Sequence, residues 1–190
     1  MNVEVIAAFD AAVEVLKSLG AEVVTIDSTG FMNARNACTL LLLMEGSSFH
    51  DERLKKEPGV LGSSVRNRMR EAFFLSSGDY LAAQKARGVY NTQMSTAMAD
   101  VDAVILPSMA SPPATFASLT PEAPPMGASF TMPFNISGRP AISLPMGFTR
   151  SGLPLGLQIA GHAYEEAEVF SIAAAYEAAT PWHTMFPDVE

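Results

Sequence analysis

Residues 1–26 restrict the fold more than any other stretch. Val5, Ile6, Phe9, Val13, Leu16 and Leu19 recur at helical spacing, and Gly20 stands where a glycine ends a helix. The run that follows, Ala21-Glu22-Val23-Val24-Thr25-Ile26, is rich in β-branched side chains and reads as a strand. A helix that leads straight into a buried strand is the second half of a βαβ unit, because parallel neighbours need a crossover between them. The first strand of that unit should precede the helix, so the N-terminus reads as cut. The pattern therefore predicts an α/β fold whose sheet needs material from upstream.

Further along, a second helix is expected from Asn33 to about Glu45, then a loop through Pro58-Gly59. Ser63 or Ser64 is placed to cap a helix running through Arg70 and Phe74. Ser77 or Asp79 opens a longer helix through Tyr80, Ala83, Ala86, Tyr90, Met94 and Met98. Val101 to Leu106 reads as a strand that Pro107 ends. From 107 to 133 the composition changes: prolines 107, 112, 113, 121, 124, 125 and 133 interrupt regular structure and predict a long irregular loop. Loops of this length inside a compact domain are uncommon and often functional. It does not read as a domain linker, because the strands on both sides look like parts of one sheet.

Ala141–Pro145 and Leu155–Ile159 flank the turn Thr149-Arg150-Ser151-Gly152, the signature of an antiparallel hairpin. Glu165 to Ala179 then reads as a helix with Glu165, Glu166 and Glu168 at its positive end, and Pro181 blocks its continuation. The whole, 1–190, reads as one domain: a mixed β-sheet with helices on both faces. Four short strands, apolar on both sides, are few for such a sheet.

Charge and composition narrow the function. The 190 residues carry a net charge of −8, which argues against nucleic acid, since phosphate binding needs clustered Lys and Arg. Arg66, Arg68 and Arg70 form the one basic cluster and read as a solvated helix face. Hydrophobic residues make up 48%, yet no uninterrupted apolar run reaches the roughly 20 residues of a membrane span. The start has no basic n-region, and the single cysteine, Cys38, excludes an internal disulfide, so a cytoplasmic setting is expected. His50, His162 and His183 are far apart, and no metal or cofactor is expected. Gly46-Ser47-Ser48 and Gly62-Ser63-Ser64 read as helix ends, not as catalytic loops. A triad of Ser108 or Ser111 with His162 is the weaker reading.

The stretch Phe134-Asn135-Ile136-Ser137-Gly138-Arg139-Pro140-Ala141-Ile142-Ser143-Leu144-Pro145-Met146-Gly147, followed by Gly152-Leu153-Pro154-Leu155-Gly156-Leu157-Gln158-Ile159, resembles the C-terminal signature of the amidase signature family, including the amidotransferase A subunits. The helix entering Gly-Ala-Glu-Val-Val, Asp79-Tyr80-Leu81 with Ala86-Arg87, and Val101–Pro107 fall in the family's order. Gly138, Pro140, Pro145, Gly147, Gly152, Pro154, Gly156 and Gln158 are signature positions with a structural reading. The glycines permit special backbone, the prolines fix φ, and a buried Gln158 amide must find a partner.

The resemblance implies an amide hydrolase, and only its C-terminal portion. Family members use a Ser nucleophile, a second Ser held by a cis peptide, and a neutral Lys, with backbone N–H groups for the oxyanion. All of these lie upstream of the matched region, so no catalytic residue is expected here. Lys17, Lys55, Lys56 and Lys85 do not replace them. The resemblance leaves pocket candidates: Arg68, aligned with an arginine that grips a free amino acid, and Phe130, Thr131 and Asn135. The family's partner carboxylate falls on Ala128, which favours less polar amides. The chain is expected to contribute scaffold and pocket wall, and to need the missing N-terminal half. The alternative is a non-catalytic binding module covered by a partner or by self-association.

Overall fold

The computed structural model describes residues 1–27, 34–118 and 130–186. It divides into two compact units, one of residues 1–27 and 97–190, the other of residues 28–96.

The first unit opens with α1 (Val3–Ser18). Asn2 caps it, its side chain accepting the Glu4 N–H at 2.8 Å. Past the end, Gly20 adopts φ 97, the left-handed conformation that terminates helices. The strands are β1 (Ala103–Pro107), β2 (Ala141–Phe148) and β3 (Pro154–Gly161). They form an antiparallel sheet in the order β1-β3-β2, so β3 is central. The hairpin predicted between β2 and β3 is present, closed by Leu153 and Thr149 across a turn where Gly152 takes φ 81. Strands on both sides of the proline-rich segment share one sheet, as anticipated.

β2 holds an irregularity between Pro145 and Gly147, one extra residue against β3. Pro145 has no N–H to donate, and an edge strand with a bulge is where a sheet tolerates that.

One face of the sheet is apolar. Ile105, Ile142, Leu144, Leu157 and Ile159 pack there with Val5, Ala12 and Leu16 of α1. Val169, Ala173 and Tyr176 of α7 (Glu166–Ala178) join the same core. Both long helices of this unit therefore pack on this side. Leu157 and Ile159 are wholly buried. Side chains alternate across a strand, so Ser143 and Gln158, paired in register, lie on the opposite face.

In the second unit, Leu43 of α2 (Ala34–Phe49), Leu54 of α3 (Asp51–Lys56) and Met69 of α4 (Ser63–Arg70) form a small core, with Ala72 of the turn Glu71–Phe74 packed against it. α5 (Ser77–Ala97) is the longest helix described.

Several expectations are corrected. The run Ala21–Ile26 forms no strand: no neighbouring strand pairs with it among the described residues, and β-propensity is realised only against a partner. Among the described residues the sheet accordingly has three strands, all antiparallel, where four strands were expected. The expected loop after Glu45 is largely helical. α2 continues to Phe49, which places Ser47 and Ser48 inside its last turn, and α3 (Asp51–Lys56) follows. Lys55–Asp51 at 2.8 Å and Lys56–Glu52 at 3.2 Å join successive turns of α3. Gly62, not Ser63 or Ser64, stands at the start of α4. α5 starts at Ser77 as expected, and Ser76 before it is the cap: its hydroxyl accepts the Asp79 N–H, while the Asp79 carboxylate accepts the Ser76 N–H. Pro133 lies in the first turn of α6 (Met132–Ser137), where its missing N–H costs nothing. Asn33, Ala128 and residues 119–129 of the proline-rich segment lie outside the described residues.

Candidate functional site

On the sheet face away from α1 and α7, three strands bring together residues far apart in sequence. Ser108 follows β1 and donates its backbone N–H to the Gly156 carbonyl at 2.7 Å. Its hydroxyl meets that of Ser143 on β2 at 2.6 Å. The two cross above Gly156 of the central strand. A Cβ at Gly156 would stand 2.8 Å from Ser108 Oγ and 3.1 Å from Ser143 Oγ, so any side chain there would force the pair to shift.

Beside them Gln158 is 4% exposed, and its Nε2 donates to the Phe130 carbonyl at 2.8 Å. The amide required to find a partner has one. Both described margins of the proline-rich segment, Ser108 and Phe130, thus reach the same face of the sheet.

The remaining pocket candidates fall in both units. Thr131 is the cap position of α6, and Asn135 is exposed on that helix. Gly138 ends α6 at φ 70, and Gly147 in β2 takes φ 132, the special backbone expected of those positions. Arg68 belongs to α4, in the other unit. There it lies close enough to Cys38 to bias its thiol: burial pushes the Cys38 pKa up and the Arg68 charge pulls it down, with burial the larger effect. Cys38 therefore stays a thiol at neutral pH, which is poor nucleophile chemistry.

His162 does not serve Ser108. Its Nε2–H donates to the Val101 carbonyl at 2.8 Å, and its Nδ1 lies 3.5 Å from an Arg139 guanidinium nitrogen. Both ring nitrogens are thus engaged, and the triad has no base. Beside His162 lies an open recess of about 610 Å³ lined by Asp100, Asp102, Tyr164, Glu165 and Glu168. Among the described residues, no group of His, Cys, Asp and Glu is arranged to hold a metal ion. No described helix is long and apolar enough to cross a membrane.

In the sequence Ser108 stands out only as a triad member, and Ser143 only as part of the signature. No local pattern links them. The signal present is Gly156, a glycine inside a strand, which marks close approach by another group.

The pattern of family resemblance holds in direct comparison. The Amidase family model matches residues 1–170. The chain is similar to the A subunit of glutamyl-tRNA(Gln) amidotransferase from Thermodesulfovibrio yellowstonii, 36% identical over 77% of this chain and 32% of that protein. It is also similar to the corresponding protein of Thermosynechococcus vestitus, 31% identical over 98% of this chain and 44% of that one. The chain thus spans less than half the length of these curated relatives. Among solved structures, one described as an amidase superposes with TM-score 0.79 at 29% identity, covering 94% of this chain and 42% of that one. A bacterial aryl acylamidase of the amidase signature enzymes shares the fold with TM-score 0.78 at 22% identity, over 95% of this chain and 41% of its own. With its sheet, its signature hairpin and most of its length matched in this way, the chain belongs to the Amidase family.

Proposed function

We propose that this chain supplies the C-terminal part of an amide (C–N bond) hydrolase, as sheet scaffold and one wall of the substrate pocket, and hydrolyses no amide by itself. The observation that carries the reading is the state of its hydroxyls and amines. Attack on an amide by serine needs a base to take the hydroxyl proton and preorganised donors for the oxyanion. Ser108, on the sheet's polar face, is bonded to another hydroxyl, which is no base at neutral pH. Lys17, Lys55 and Lys56 are held by Glu14, Asp51 and Glu52 on exposed helix faces, and Lys85 is exposed on α5.

On this reading the head of α6, with Phe130, Thr131 and Asn135, and Arg68 of α4 contribute to the pocket of the whole enzyme. Alanine at 128 removes the carboxylate that would hold a substrate ammonium, which favours amides less polar than a free amino acid.

The test is direct. The purified chain, incubated with propionamide or benzamide, should release no ammonia above the uncatalysed background. A serine-directed fluorophosphonate should leave it unlabelled. Turnover, or stoichiometric labelling of one serine, overturns the proposal.

A further inference from the structure

Gln158 lies in the middle of β3, between Leu157 and Ile159, and is itself 4% exposed. A primary amide removed this far from water is unfavourable unless a partner meets it. The partner of its Nε2 is not a strand neighbour. It is the Phe130 carbonyl, 28 residues back in the chain and 2.8 Å away, where the proline-rich segment runs into α6. Ser143 of β2 stands directly opposite Gln158 in the register, and its hydroxyl meets that of Ser108 at the other margin of the same segment. Two cross-strand neighbours therefore each hold one margin. Neither bond is part of the sheet's own ladders, which run through backbone groups. An apolar side chain at 158 would fill the same space without the cost of burying an amide; what the amide adds is direction.

We propose that Ser143 and Gln158 are positioning residues, which fasten the two margins of the proline-rich segment to the sheet and fix where Phe130 and Thr131 stand at the head of α6. The proposal rests on the functional reading above, in which Phe130 and Thr131 belong to the pocket wall. It makes a chemical demand. The Phe130 carbonyl only accepts, so position 158 holds it only while its side chain has a proton to give. An amide has one at every pH, a carboxyl group only when protonated, and a thioether never.

Amide hydrogen exchange in the full isotope-labelled chain, expressed as protection factors, reads this demand locally. The N–H groups of Phe134 and Asn135, both bonded to the Thr131 carbonyl, report on the head of α6. Gly152 N–H, bonded to the Thr149 carbonyl in the hairpin turn, is the control. Gln158→Met should lower protection at Phe134 and Asn135 by about three- to tenfold, the worth of one hydrogen bond, and leave Gly152 unchanged. Gln158→Glu should do the same at about pH 8 and restore protection at about pH 5, where a carboxyl buried this deeply carries its proton. Ser143→Ala should lower protection of the Ser108 N–H, which rests on the Gly156 carbonyl, by about two- to fivefold.

Unchanged protection at Phe134 and Asn135 in Gln158→Met means that the amide only fills space, and overturns the proposal. So does an equal loss at Gly152, the mark of general destabilisation, or a Gln158→Glu chain equally protected at both pH values. If Gln158→Glu does not fold, Gln158→Met decides alone. An unmoved Ser108 N–H in Ser143→Ala overturns the half of the proposal that concerns Ser143. None of these outcomes bears on the functional reading, which falls only to turnover or serine labelling by the chain.

Discussion

Two segments of the first unit have nearly the same strand-forming character and opposite fates. Residues 21–26 hold Val23, Val24, Thr25 and Ile26 in a row; β3 holds Leu155, Leu157 and Ile159 interleaved with Gly156, Gln158 and Ala160. By residue preference alone the first is the better strand. Yet β3 is paired on both sides, with Leu157 and Ile159 wholly buried, whereas the first run has no ladder and Val24 is 54% exposed. The difference is the neighbours. β3 is the centre of a hairpin whose other arm is joined to it by a short turn, so closing that loop costs little entropy. Residues 21–26 have no such partner arm among the described residues. Strand propensity is a statement about fit to a half-buried pleated surface, and it is silent until that surface exists.

The comparison breaks most readily at its buried end. Leu157→Ala removes a wholly buried side chain packed between α1 and α7. Such truncations leave cavities and cost about 3 kcal/mol. Urea denaturation followed by circular dichroism should show that loss as a lower midpoint at unchanged slope. A loss below about 1 kcal/mol would mean the core relaxes around the site, and that burial does not separate the two segments.

The elements legible in the sequence are those whose cause is local. α1, with Asn2 before it and Gly20 after it, and the hairpin around Gly152 are specified by residues within a few positions of one another. α3 is equally local but ambiguous, because the charged run Asp51–Glu57 suggests a solvated loop while its i,i+4 pairs favour a helix. The Ser108–Ser143 pair is not legible. Its members are 35 residues apart and meet only because β3 inserts between β1 and β2. The pocket candidates come from family pattern: Arg68 lies in one unit, Phe130, Thr131 and Asn135 in the other.

A smaller effect tests the close approach on which the central strand depends. Gly156→Ala places a Cβ 2.8 Å from Ser108 Oγ and 3.1 Å from Ser108 Cβ, closer than packed atoms tolerate. We expect a cost of about 1–3 kcal/mol, read from the same denaturation curves. Adding Ser108→Gly removes two of the three close atoms, leaving Ser143 Oγ at 3.1 Å, and should recover a measurable part of it. A double-mutant cycle that finds no coupling between 108 and 156 would show that the glycine serves backbone freedom and not the hydroxyls above it.

A helix end provides a control that needs no distant partner. Ser76→Ala deletes the hydroxyl that accepts the Asp79 N–H and donates to its carboxylate at 2.7 Å. N-cap losses of this kind cost about 1 kcal/mol. The Asp79 carboxyl is held below its ordinary value by the Ser76 hydroxyl first and the Ser76 backbone N–H second. A carboxylate with a lowered folded-state pKa adds stability above its unfolded pKa, and loses it as pH falls through the folded one. The penalty of Ser76→Ala should therefore be larger near neutrality than at about pH 3. Equal penalties at both would show that the hydroxyl acts without the charge.

The least effect is expected at the position most like a strand residue. Val24→Ala removes two methyl groups from a side chain already 54% exposed, on backbone that bonds to nothing. In the isolated chain the change in unfolding free energy should lie within about 0.5 kcal/mol of zero, as for other exposed substitutions. The measurement has force because the same kind of truncation costs several times more at Leu157. If Val24→Ala destabilises the chain by as much as a buried residue would, then residues 21–26 already pack against something in solution, and the contrast between the two segments is one of pairing alone, not of burial.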